Sequence, residues 1–415
     1  MKRLLLLLLF AAFVFAAQNT NDDFVKLSLD KATPARIARI TQDVGIALNA
    51  GGRELLISAA DISDDSVALE ITENGKIICG GHDPNCIVGF DENPKITEMT
   101  GVVVIFLGVK KSFASMLMAL PGLESGTCEK FGGEVDEEKA LNVVFVPDGF
   151  GTDERRLFEE SAENAAAAFR VTEPFASNIG KFNFYRAEFL LGSSFDWQDE
   201  KTQAEVAALV RGCRRTVTAV LSKGIEDIGY GFMLSGIALV PASLYAPGRD
   251  VATKRDGEAI LAHEFGHVFA YLGDESLLNV GNLYKEADTP PFIGYPNIDE
   301  IGCPNWCSRG SAASPACAEY WRKLLECGRN ANAECFDAVQ KEFEGTGRKG
   351  LAMDFVLGCD FGTGCVSGTG CFPGALYDYL DRFTPVKKDA CVMSGGQSFC
   401  PICTVALEKM LKRFG

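Results

Sequence analysis

Ile260-Leu261-Ala262-His263-Glu264-Phe265-Gly266-His267-Val268-Phe269-Ala270 is the stretch on which the reading of this chain turns. Its pattern predicts a helix over residues 256–271, apolar on nearly every side apart from two histidines and a glutamate. Positions four apart on a helix share a face one turn apart, so His263 and His267 present two imidazoles to one point. That arrangement suits a tetrahedral zinc ion. Glu264 stands beside the first histidine, where it can take a proton from a metal-bound water. A helix this apolar is buried, and buried imidazoles and carboxylates are costly unless something satisfies them. The sequence holds three histidines, and two of them fall here. The plain alternative is a core helix whose histidines are satisfied by ordinary hydrogen bonds.

A catalytic zinc needs a third protein ligand. His82, the remaining histidine, falls in the amino-terminal part of the chain, so a carboxylate is expected. Asp274 follows directly after Gly273. In a continuing helix it would lie about 10 Å beyond His267, at ~1.5 Å per residue, too far to share the ion. A helix ending at Gly273, whose missing Cβ permits a left-handed turn, would let the chain fold back and bring Asp274 to the metal. Glu275 is the rival ligand.

Working outward, residues 141–146 read as a continuous apolar strand running into the turn Pro147-Asp148-Gly149. Thr152-Asp153-Glu154-Arg155 opens a helix with Phe158, Ala162, Ala165 and Phe169 on one face. Residues 182–189 read as a strand, 202–222 as a second amphipathic helix, and 236–244 as a further strand. Strands alternating with helices give an α/β layer. Upstream, residues 24–130 are short and strand-like: 53–58, 66–71 and 102–109 read as strands, and Glu73-Asn74-Gly75-Lys76 as a hairpin. The whole is an α+β chain. It divides into an amino-terminal signal (1–17), a small β-rich domain (18–135), a catalytic part bearing the motif helix (136–302) and its cysteine-rich continuation (303–415).

Lys2 and Arg3, the apolar run 4–14 and the small residues Ala16 and Ala17 read as a secretory signal peptide. The run is shorter than the ~20 residues of a spanning helix, so an uncleaved anchor is the lesser alternative and no membrane insertion is expected after cleavage. Formal net charge is −16, which argues against nucleic acid or an anionic membrane as partner. Behind a signal peptide the 15 cysteines read as a disulfide framework, concentrated after Cys303 and odd in number. Cys79 and Cys86 bracket a loop they could close. Competing readings are a structural zinc site on Cys303, Cys307, Cys400 and Cys403, or a redox pair in Cys400-Pro401-Ile402-Cys403.

His263-Glu264-Phe265-Gly266-His267 with Leu272-Gly273-Asp274-Glu275 resembles the bacterial IgA-peptidase family of zinc metallopeptidases. Other segments agree in order: Val146-Pro147-Asp148-Gly149-Phe150, Pro174-Phe175, Phe182-Asn183-Phe184, Tyr295-Pro296-Asn297, Cys391-Val392-Met393 and Phe399-Cys400-Pro401-Ile402-Cys403. The resemblance covers roughly residues 140–403. It implies a zincin or metzincin-like catalytic domain, a zinc-dependent endopeptidase activity and a methionine turn beneath the metal at Met393. The chain departs from the family in having Ser276 where a tyrosine commonly follows the Asp-Glu pair, and in its many cysteines. The resemblance implies the metal and the reaction, and not cleavage of immunoglobulin.

The expected function is an extracytoplasmic endopeptidase acting on proteins or peptides. Zn2+ would sit on His263, His267 and Asp274, with Glu264 as general base. Residues 236–240 are the candidate strand for pairing with extended substrate, and Tyr377 or Tyr379 the candidate oxyanion stabiliser. A non-catalytic secreted binding or adhesion protein with structural zinc is the alternative, though such a site has no use for Glu264. An exported thiol oxidoreductase is a third.

Overall fold

The computed structural model describes residues 24–29, 35–63, 66–80, 83–89, 94–110, 113–121, 126–213, 215–226, 228–275, 295–310, 313–329, 332–376 and 379–415. The expected signal segment, His82, Ser276 and Tyr377 lie outside the described residues.

Leu141–Asp148 is buried along its whole length, as its unbroken apolar run requires of a strand covered on both faces. It lies inside a mixed sheet of spatial order 129–132, 182–186, 141–148, 217–222, 237–241, 230–232. The four inner strands are parallel, and the outermost strand on each side, Glu129–Gly132 and Tyr230–Phe232, runs antiparallel. Helices cover both faces. On one side Arg155–Ala168 and the motif helix Val251–Ala270 enclose a core containing Phe158, Ala162, Phe169, Phe265 and Met393. Phe169, Phe175, Phe182 and Phe265 pack edge-on or tilted there, with ring centroids 4.9–6.1 Å apart. On the other side Glu200–Leu209 brings Val206, followed by Val210, against Val144, Val146 and Leu239.

Two sequence expectations need correction here. Residues 202–222 are not one helix: Glu200–Leu209 is helical, and Val217–Ser222 is a strand buried at every position. The β-branched residues of 217–220 prefer that doubly covered strand, and the Cys128–Cys213 disulfide fixes the chain between the two elements. The strand expected over 236–244 is Ile237–Pro241, paired on both sides, so it has no free edge for a ligand strand.

The amino-terminal strands form a sheet of order 24–29, 45–50, 53–62, 67–73, 76–79, with 87–88 also paired to 67–73. The strands 35–41, 113–119 and 103–110 form a second sheet. The expected hairpin is present: Glu73 pairs with Lys76, and Asn74 and Gly75 adopt φ of 52° and 74°, as a type I′ turn demands. Cys79 and Cys86 are bonded. One face of Glu200–Leu209 carries Ala204, Ala207 and Ala208, whose small side chains let it lie against Ala35, Val103, Leu117 and Ala119.

Beyond residue 302, Cys327–Cys335 joins the helices Pro315–Arg329 and Ala333–Gly345, and Cys317–Cys359 ties the first of them to the chain just after the helix Ala352–Leu357. Cys307–Cys365 links the paired strands Cys307–Gly310 and Gly362–Cys365, and Cys303–Cys371 closes the chain around them. These bonds overturn the idea of a zinc site on Cys303 and Cys307, whose thiols are committed to Cys371 and Cys365. Six disulfides fit an oxidising, extracytoplasmic setting. No described helix is long and apolar enough to cross a membrane.

Candidate metal centre

The motif helix begins where the Asp250 carboxylate accepts from the Thr253 N–H at 2.9 Å, an N-cap worth about 1 kcal/mol. It ends at Ala270 because Tyr271 turns left-handed, φ 53° and ψ 39°. Gly273 was expected to make that turn. Its actual role is close approach, since a Cβ there would stand 2.8 Å from Ile298 Cγ1 and 2.9 Å from Tyr295 Cγ. Asn297, fully buried, then fixes the reversed segment. It accepts from the Gly273 N–H at 2.7 Å and donates to the Gly273 carbonyl and to Glu275 Oε1, both at 2.8 Å.

This reversal brings Asp274 back to the histidines. Its Oδ1 lies 3.0 Å from His263 Nε2 and 3.5 Å from His267 Nε2, and the two Nε2 atoms are 3.0 Å apart. The opposite ring nitrogens are held by peptide carbonyls: His263 Nδ1 donates to Val392 O at 2.9 Å and His267 Nδ1 to Leu272 O at 2.6 Å. A carbonyl only accepts, so in the neutral rings the protons sit on Nδ1 and both Nε2 lone pairs point inward. Three acceptors therefore face one another with no proton between them. Asp274 Oδ1 has no hydrogen-bond partner although it is buried. Burial pushes the Asp274 carboxyl up; when the rings are protonated, the pull of His267 and His263 outweighs burial and holds the carboxyl well below the usual carboxylate range.

Glu275, the rival ligand, faces away from the histidines. It is buried, bonded to Asn297, and directed at three cysteines. The neighbours Asp274 and Glu275 thus enter two separate groups of possible metal-holding atoms, each within 4.8 Å of one another: His263, His267 and Asp274 in one, Glu275, Cys391, Cys400 and Cys403 in the other.

Met393 sits fully buried under the motif helix, with a Cβ on Gly266 placed only 3.1 Å from its sulfur. The same turn supplies Val392 O to His263 and Met393 O to the Glu275 N–H at 2.8 Å. Glu264 is 5% exposed, and its carboxyl is pushed up to about 8, chiefly by burial; His263 pulls it down and Asp274 pushes it up. A cleft of about 540 Å³ reaches His263, Glu264 and Asp274 between Gly229, Leu244 and Val392.

Sequence reasoning misses the strand beside the motif helix at this site. Tyr230–Phe232 is the edge strand beside the motif helix, and glycines let it come close. A Cβ on Gly229 would stand 2.5 Å from Glu264 Cγ, and one on Gly231 2.6 Å from His267 Cβ. The only local signal is two glycines two residues apart in an aromatic segment. Tyr379 lies in the strand Tyr379–Thr384 and is not among the described residues lining the cleft. Tyr295 packs against Gly273, next to Asp274 in the chain, and its phenol is pushed up to about 12, by burial first and then by Asp274 and Tyr379.

No family model and no curated protein matches the chain. Among solved structures a similar chain is metalloproteinase-II from Bacteroides fragilis, at 12% identity and a TM-score of 0.23, over 60% of this chain and 84% of that one. A superposition this loose carries no weight for fold or function.

Proposed function

We propose that this chain is a secreted zinc-dependent endopeptidase with a zincin-like catalytic part, similar in its motif order to the bacterial IgA-peptidase family. His263, His267 and Asp274 would hold the zinc. The observation that carries the reading is the convergence of two unprotonated imidazole nitrogens and an ionised, hydrogen-bond-free carboxylate oxygen, an arrangement that repels itself unless a cation sits within it. Two nitrogens and one oxygen form the donor set of a three-ligand catalytic zinc site. When bound, zinc supplies Lewis acidity, polarising a carbonyl and acidifying water.

Glu264 is the proton carrier. Its carboxylate takes a proton from the attacking water as the new C–O bond forms. It returns that proton to the amide nitrogen as the C–N bond breaks. Its burial suits this, because a carboxyl raised towards neutrality both accepts and releases a proton near physiological pH. Tyr230–Phe232, the sheet-edge strand pressed against the motif helix, is the side along which an extended protein or peptide substrate would lie.

The test is hydrolysis of casein by the mature protein, abolished by a chelator and restored by zinc. Glu264→Gln is expected to keep its zinc and lose about 10²–10⁴-fold in turnover. Undiminished activity in that variant would refute the mechanism.

A further inference from the structure

Six disulfides take twelve of the fifteen cysteines and leave Cys391, Cys400 and Cys403, all buried. The three meet at the carboxylate of Glu275, itself 2% exposed. We propose that Cys391, Cys400, Cys403 and Glu275 form a second metal site, a closed structural zinc centre directly behind the His263–His267–Asp274 group.

The spacing fits a tetrahedron. With Zn–S near 2.3 Å and Zn–O near 2.0 Å, its edges are about 3.8 Å between sulfurs and about 3.5 Å between sulfur and oxygen. Cys391 Sγ and Cys403 Sγ are 3.7 Å apart, and Glu275 Oε1 lies 3.7 Å from Cys400 Sγ and 3.0 Å from Cys403 Sγ. A disulfide would need sulfurs at about 2.05 Å. Two backbone N–H groups point at the sulfurs, Cys400 N to Cys391 Sγ at 3.1 Å and Cys403 N to Cys400 Sγ at 3.4 Å. Such donors, at the amino end of the helix Pro401–Leu411, favour thiolates over thiols.

An independent observation comes from the carboxylate. Glu275 Oε2 is buried without a hydrogen-bond partner, while Oε1 is turned to the sulfurs and to Asn297. A buried carboxylate among three thiols is disfavoured by burial, and a soft divalent cation bound by the thiolates removes that conflict. Binding displaces the thiol protons to solvent, and the metal keeps three neighbouring cysteines from oxidising one another in a compartment where the other twelve have paired. The site also has a mechanical role. It ties Glu275, the neighbour of Asp274, to the turn carrying Met393 and to the carboxy-terminal helix.

Zinc K-edge absorption and metal counting on the full mature chain test this. The expected result is two zinc ions per chain, with sulfur scatterers near 2.3 Å in the averaged spectrum. The His263→Ala/His267→Ala double variant should retain one zinc with sulfur ligands. Cobalt substitution of the wild-type chain should give a sulfur-to-metal charge-transfer band, which a nitrogen and oxygen site cannot produce, so the reading does not depend on a variant folding. Zinc with nitrogen and oxygen ligands alone, or a disulfide between any two of Cys391, Cys400 and Cys403 in the native protein, would overturn the second site and leave the proposed peptidase standing. A single zinc bound by sulfur would do the reverse.

Discussion

Asn297→Ala is expected to damage both stability and metal affinity without removing a metal-holding side chain. The native side chain satisfies the Gly273 N–H, the Gly273 carbonyl and Glu275 Oε1, at 2.7, 2.8 and 2.8 Å, in a fully buried position. Alanine strands the Gly273 N–H and carbonyl, while Glu275 Oε1 keeps Cys403 Sγ at 3.0 Å. At about 1 kcal/mol each, the low end for a buried unsatisfied group, the loss is about 2 kcal/mol. At roughly 2–4 °C per kcal/mol, that lowers the melting temperature of the transition containing this region by about 4–8 °C. The turn it releases delivers Asp274, so zinc affinity should fall about 10–100-fold, as when a supporting partner of a metal ligand is removed. Calorimetry and competitive zinc titration give the two numbers. A melting temperature within about 2 °C of the parent, with unchanged zinc affinity, would refute this account of the turn.

Gly231→Ala should act on catalysis more than on stability. Its Cβ would press on His267 at 2.6 Å, and a displaced ligand ring costs about 10²-fold in kcat/KM; unchanged kinetics would show that the edge strand does not register the site. Gly75→Ala, in a turn at φ 74°, should destabilise the amino-terminal hairpin by about 1 kcal/mol and leave peptidase activity intact; an activity loss would contradict the separation of that sheet from the chemistry. In chelator-stripped protein, Glu264 has its carboxyl raised from 4.5 to about 8, so its contribution to stability is full below pH 4.5 and is lost as pH rises through about 8. The melting temperature should fall across that window, and Glu264→Gln should flatten the fall; equal slopes in the two proteins would show that Glu264 is not buried as described. Asp274, held low, exerts its own effect below its ordinary 3.8, outside the window.

The motif helix was legible because its residues are chemically conspicuous and its signal is local. The spacing of His263 and His267 and the burial of Glu264 follow from the helix pattern, and the scarcity of histidine points to a carboxylate, of which Asp274 is the one brought beside the two rings. The turn differs from the sequence expectation in its detail: Tyr271 takes the left-handed conformation, while Gly273 is needed for space. A tyrosine at positive φ gives no sequence signal, because surrounding packing pays for it. The 202–222 segment was misread because a helix and a doubly buried strand are both rich in alanine and valine, and only pairing distinguishes them. The cysteine trio was hidden for another reason. Glu275 lies 125 and 128 residues before Cys400 and Cys403, and no local pattern joins groups so far apart. The odd cysteine count gave the one hint.

The central claim is that a metal sits where His263, His267 and Asp274 converge. Anomalous diffraction at the zinc edge from crystals of the mature protein tests it most directly. The account predicts a strong peak shared by His263 Nε2, His267 Nε2 and Asp274 Oδ1, about 2.0–2.2 Å from each. A crystal grown with zinc that shows no peak there, with the three side chains hydrogen-bonded to one another instead, would contradict it.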